Sequence, residues 1–227
     1  MSAYLQLKAF AERSGVLGPG ENSRESWQVV GLNVATARPA AVLILFGRLD
    51  DRLSHAHSDA VPDDLDVLLV VRAGSLRSHP GQVAFPGGRI DSEDATPTAA
   101  ALREAEEETG LDPAGVEVLG ELPPVGLPIS NHLVTPVLAW WSAPTPVRVV
   151  DHAESAHVFR APVADLLSPA ARFNAVVRRQ GRKHLTPAFD VDGVVIWGFT
   201  GLLLSRLFDG LGWTQPWDEA REQDAPL

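Results

Sequence analysis

Two short apolar runs, Ala40 to Phe46 and Val67 to Val71, constrain the fold more than any other feature of this chain. Each has strand length and neither alternates with polar residues. A strand exposed on one face alternates, whereas one covered on both faces reads as a continuous apolar run. The runs therefore predict a sheet packed on both sides. Further strand-like runs lie at Gln82 to Phe85, Val116 to Leu119, Leu133 to Trp141 and His157 to Ala161. Helical pattern falls at Ala3 to Arg13, Pro97 to Thr109, Val163 to Leu167 and Phe199 to Leu211. This irregular alternation predicts an α/β or α+β sandwich around a mixed sheet.

The chain of 227 residues is long enough for one domain with a full core. Residues 1–37 read as an N-terminal helix and connector, 38–211 as the main domain, and 212–227 as a C-terminal tail. The formal charge of -10 disfavours a nucleic-acid backbone as partner. Without cysteine, disulfides, thiolate metal sites and a cysteine nucleophile are excluded. No long apolar leader segment opens the chain, and Phe199 to Leu211 is too short to span a bilayer. The expectation is a cytoplasmic protein without membrane contact, its self-association into a homo-oligomer left open.

The chemistry concentrates on the helix predicted over Pro97 to Thr109. Thr96 is suited to cap it, Pro97 to occupy its first position and Gly110 to end it. At about 100° per residue, Ala101, Leu102, Ala105 and Thr109 gather on one side, while Glu104, Glu107 and Glu108 share another arc. Like charges so close weaken a helix. A divalent cation turns that repulsion into binding, because Mg²⁺ and Mn²⁺ favour oxygen ligands. Glu106 points elsewhere and is expected in solvent. Immediately upstream, Phe85-Pro86-Gly87-Gly88 is a strand end running into two glycines, where backbone can approach a metal or phosphate closely.

Gly88, Asp94 and Arg103-Glu104-Ala105-Glu106-Glu107-Glu108-Thr109-Gly110-Leu111 resemble the Nudix box. Its second half matches at every specified position. In its first half Asp94 stands where the family has glutamate, and eight residues rather than seven separate it from Arg103. The resemblance implies a Nudix-type α/β/α sandwich that hydrolyses diphosphates with Mg²⁺ or Mn²⁺. It implies Glu104, Glu107 and Glu108 as metal ligands, with the Gly87 carbonyl as a further one, and Arg103 as the group that orients a glutamate. For the general base, Glu107 is one candidate and Glu154 another, and the sequence does not choose between them.

The preceding segment resembles the coenzyme A diphosphatase branch of that family. Leu68-Leu69-Val70-Val71-Arg72 leads through Leu76-Arg77-Ser78-His79-Pro80-Gly81-Gln82 into Phe85-Pro86-Gly87-Gly88, with Ala73 where the branch has serine. Residues 67–90 hold Arg72, Arg77, His79 and Arg89 and no acidic residue, a basic island suited to phosphate. Arg72, Arg77, His79, Gln82 and Phe85 are the substrate-binding candidates. The implied substrate is coenzyme A or an acyl derivative. The alternatives are another nucleoside diphosphate derivative, such as ADP-ribose or a dinucleotide, and a catalytically silent ligand-binding module. Arg178, Arg179, Arg182, Lys183 and His184 form a second basic run, expected as a solvated loop. His55 and His57 sit among aspartates without the spacing of a metal site.

Overall fold

The computed structural model describes residues 2–16, 32–48, 54–74, 81–179 and 181–226. Its centre is a mixed sheet. Strand β1 (Arg38–Arg48) lies between β2 (Leu65–Arg72), antiparallel to it, and β7 (His132–Trp141), parallel to it. Beyond β7 lies β5 (Val116–Glu121), and beyond β2 lie β3 (Val83–Ala84) and β8 (Ser155–Pro162). Two three-residue strands complete the sheet: β4 (Gly87–Arg89) on β1, and β6 (Val125–Leu127) on β7.

Both faces are covered, as the unbroken apolar runs predict. On one face Ala41, Leu43, Leu45 and Leu68 pack with Ala100, Ala101 and Ala105 of helix α2 (Pro97–Thr109). On the other, Ile44, Phe46, Val67 and Leu69 pack with helices α1 (Ala3–Val16), α3 (Val163–Leu167) and α4 (Gly198–Leu211). Each large apolar side chain buried in this way contributes about 1.5–3 kcal/mol relative to leaving it exposed. The three alanines let α2 lie close to the sheet, which brings its carboxylates near the strand carrying Gly87 and Gly88.

A second sheet packs on α4 in the order β11 (Val194–Ile196), β10 (Arg182–Val191), β9 (Arg172–Arg179), β12 (Glu222–Asp224). The basic run expected as a loop is therefore the tip of the β9–β10 hairpin. Arg178 pairs with Asp224 and Lys183 with Glu222, so charges distant in sequence neutralise there. The segment after residue 211 carries Trp213, 2% exposed, into the core and then adds β12 to β9. Among the described residues no helix is long and apolar enough to cross a membrane.

Candidate active site

Helix α2 has the boundaries that its sequence predicts. The Thr96 hydroxyl accepts from the Ala99 N–H at 3.1 Å. At the other end Gly110 takes the left-handed conformation (φ 68°) and donates to the Glu106 carbonyl at 2.8 Å. Between these caps the carboxylates separate by environment. Glu108 is 4% exposed, Glu104 is half-buried, and Glu106 and Glu107 stand in solvent.

The glycine pair fits this face of the helix. Gly87 donates its N–H to Glu108 Oε2 at 3.1 Å. Its φ of 153° suits glycine, and a side chain there would strike the Ala41 carbonyl. A methyl group on Gly88 would come within 2.5 Å of the Glu104 carboxylate. Registering Ala41 against Gly88 and Val42 against Gly87 fixes both glycines to the central strand.

Arg103 organises the rest. Its Nε and Nη2 grip the two oxygens of Asp94 at 3.1 and 2.9 Å. Nη1 donates to Glu104 at 3.1 Å and to Glu107 at 3.0 Å, and Nη2 also reaches the Arg89 carbonyl at 3.2 Å. The Asp94 side chain is 5% exposed. Its hydrogen bonds from Arg103, then that from the Asp91 N–H, hold its pKa below the ordinary value. Arg103, bonded foremost to Asp94, is held more firmly protonated than usual. The departure from the motif is thus absorbed locally: a turn from Asp91 to Asp94, closed by the Asp94 N–H on the Asp91 carbonyl at 3.1 Å, brings the shorter carboxylate to the guanidinium.

Arg72 and Glu154 arrive from the opposite side. Alternation along β2 puts Arg72 on the face of Leu68, towards α2. There its charge acts on Glu108. The turn carrying Glu154 is closed by Asp151, whose carbonyl accepts from the N–H of Glu154 at 3.3 Å and of Ser155 at 3.0 Å. The Glu154 carbonyl accepts from Ala73 at 2.8 Å, tying this turn to the end of β2. Burial first, opposed by the Gly87 hydrogen bond and reinforced by the charges of Glu104 and Glu154, pushes Glu108 up to about 7. Burial also raises Glu104, with Arg103 opposing and Glu107 and Glu154 adding to the rise.

This donor set suits a hard divalent cation. Its ligand atoms are carboxylate oxygens, and crowding and desolvation hold two of them in a state that a cation would relieve. Among the described residues no three acidic or histidine side chains close around one point. Glu104 and Glu107 are instead shared through Arg103 Nη1.

Of the substrate-binding candidates, Arg72 lies at the site and Gln82 is beside it, its carbonyl accepting from the Arg72 N–H at 3.0 Å. Phe85 is a correction: it is 3% exposed in the core with Val83 and Leu69, because its side chain leaves the strand on the face away from α2. Arg77 and His79 lie outside the described residues. His57 pairs with Asp63 and Asp59, and His55 with Asp192, away from these groups. Sequence reading overlooked Asp151 and Ser155, which flank Glu154. The one local signal was an aspartate two to four positions before the residues whose N–H groups it receives.

The family model described as NUDIX domain matches residues 54–180. A protein described as uncharacterized Nudix hydrolase NudL from Salmonella paratyphi B is 42% identical over 141 residues, 62% of this chain and 72% of its own. The protein of that name from Salmonella newport has the same values. Among solved structures, the NUDIX domain of Shewanella oneidensis NrtR complexed with ADP ribose aligns at a TM-score of 0.42 and 23% identity, over 58% of this chain and 76% of that one. A C. elegans Ap4A hydrolase binary complex aligns at 0.41 and 20%, over 56% and 81%.

Proposed function

The chain belongs to the NUDIX-domain family, and we propose that it is a hydrolase of nucleoside diphosphate derivatives that cleaves the diphosphate of coenzyme A or an acyl-coenzyme A. The products are 3′,5′-ADP and a 4′-phosphopantetheine or its acyl derivative. The observation that carries this reading is the segment from Leu68 to Gly88. Its pattern resembles the coenzyme A diphosphatase branch, and it delivers Arg72 to the same face as Glu108.

In this reading Mg²⁺ or Mn²⁺, held by Glu104, Glu107 and Glu108 with the Gly87 carbonyl, supplies charge screening for the diphosphate and eases deprotonation of water. The chain's own groups do the rest. Arg72 takes a phosphate oxygen, and Arg77 and His79 serve the same anion from the following segment. Arg103, fixed by Asp94, sets the positions of Glu104 and Glu107. Water adds to one phosphorus as the bridging P–O bond breaks, and its proton passes to a carboxylate. Glu154 suits that role better than Glu107, whose Oε2 is engaged by Arg103 at 3.0 Å.

The test is a panel of coenzyme A, an acyl-coenzyme A, dephospho-coenzyme A, ADP-ribose and a dinucleotide, assayed with Mg²⁺ or Mn²⁺ and resolved chromatographically. Coenzyme A should be cleaved at its diphosphate, and loss of the 3′-phosphate should lower kcat/KM by about one to two decades. Efficient ADP-ribose cleavage with no coenzyme A cleavage would overturn the substrate and leave the hydrolase standing.

A further inference from the structure

Two buried polar atoms on one cross-strand pair have no part in the contacts described so far. Arg72 Nε and Ser155 Oγ are both shielded from solvent, and neither has a hydrogen-bond partner among the described residues. Ser155 as a whole is 0% exposed.

Their pairing depends on an irregularity. In a regular strand Ser155 would share a face with His157, and His157 is registered against Val71, which packs on the α4 side. The register instead passes from Val71–His157 directly to Arg72–Ser155, leaving Ala156 as the extra residue of a bulge. One extra residue reverses the alternation, so Ser155 turns to the face of Arg72. The backbone on both sides is pinned. Arg72 is held by Gln82 and Gly81 at 3.0 and 3.1 Å, Ala73 by Glu154 at 2.8 Å, and Ser155 by Asp151 at 3.0 Å. Directly opposed strand residues have Cβ atoms about 4.5–5.5 Å apart in a regular ladder, a spacing within the combined reach of an arginine and a serine side chain.

We propose that Ser155 is a positioning residue for Arg72, accepting the Nε–H when a substrate phosphate draws the terminal guanidinium nitrogens into the site. The plane of the guanidinium is then fixed, and two of its N–H groups meet one phosphate together rather than singly. A buried guanidinium N–H and a buried hydroxyl without partners are each costly, and this arrangement satisfies both in the bound state. The proposal rests on Arg72 meeting a substrate phosphate. It is indifferent to which nucleoside diphosphate derivative is cleaved.

The experiment measures ADP binding with Mg²⁺ by calorimetry for wild type, Ser155→Ala, Ser155→Cys, Arg72→Ala and the Ser155→Ala/Arg72→Ala double variant. Steady-state kinetics follow on whichever substrate is turned over, with thermal melts as the control for folding. Ser155→Ala and Ser155→Cys should each weaken ADP by about 5–10-fold and raise KM by a similar factor, with kcat little changed. Alanine is smaller than serine and cysteine slightly larger but a poor acceptor, so equal losses from both identify the hydrogen bond rather than a packing change of one sign. In the Arg72→Ala background, removing the hydroxyl should add nothing. The proposal is overturned if both Ser155 variants keep wild-type ADP affinity and KM, whatever their melting temperatures, or if the two losses multiply in the double variant. ADP binding that is equal in wild type and Arg72→Ala, or absent from both, overturns it together with the assigned role of Arg72. Retained Arg72 dependence without Ser155 dependence removes this proposal alone.

Discussion

Glu108 is placed where a carboxylate is expensive to keep charged, and the cost has a readable pH signature. Burial lifts its pKa from 4.5 to about 7. Between those values the folded chain keeps a proton that the unfolded chain has lost, so the favourable contribution of the neutral acid fades as pH rises through about 7. In chelator at pH 8, Glu108→Gln should therefore melt at or above the wild-type temperature. With Mg²⁺ the order should reverse, because only the carboxylate gains from the cation. Turnover should fall by at least about 10–100-fold in Glu108→Gln. Glu106→Gln, at an exposed position outside the charge cluster, should stay active. Melts in both buffers and saturating-Mg²⁺ assays check this, and equal behaviour of the two variants would sink it.

The loop from β4 to α2 shows how an element absorbs a change in spacing. One added residue and a shorter acid would leave Arg103 without its partner if the loop ran straight. The Asp91–Asp94 turn corrects both, with the Asp91 N–H on Asp94 Oδ2 at 2.8 Å and the two-pronged contact to Arg103. Since the folded pKa of Asp94 lies below its ordinary 3.8, its stabilising effect is full above that value and is lost as pH falls through the lowered one. Asp94→Asn should lower the melting temperature most near pH 7, and the gap should narrow towards pH 3. It should also reduce kcat, because Arg103 then holds Glu104 and Glu107 less firmly. A gap independent of pH would show that the carboxylate charge is not what matters.

At the scale of the molecule, the two sheets depend on one continuous core. Trp213 meets Phe46 edge to face at 6.1 Å and lies tilted by 31° against Phe208 at 6.2 Å, and its indole N–H donates to Gln6 of α1. It thereby joins the central sheet, α4 and the N-terminal helix. Trp213→Ala should cost about 3–5 kcal/mol in denaturant unfolding, while KM well below the melting temperature stays near wild type. A loss within about 0.5 kcal/mol would mean that residues 212–226 behave as the tail expected from sequence.

Helix α2, its caps, the arc shared by Glu104, Glu107 and Glu108 and the doubly buried strands were legible in the sequence because each is decided within a few residues. Capping needs only Thr96 and Gly110, and the separation of Glu106 from Glu104 and Glu108 follows from helical period. The rest depends on partners that periodicity does not name. Strand β4 is three residues long and exists because β1 offers it a ladder. The β9–β10 hairpin looked like a solvated loop because the acids that pair with it lie some 40 positions later. Phe85 looked available to substrate until the sheet assigned its face. Arg72, Glu154 and Ser155 meet only through the pairing of β2 with β8 and the bulge within it, since a one-residue change of register decides which side of a sheet a side chain serves.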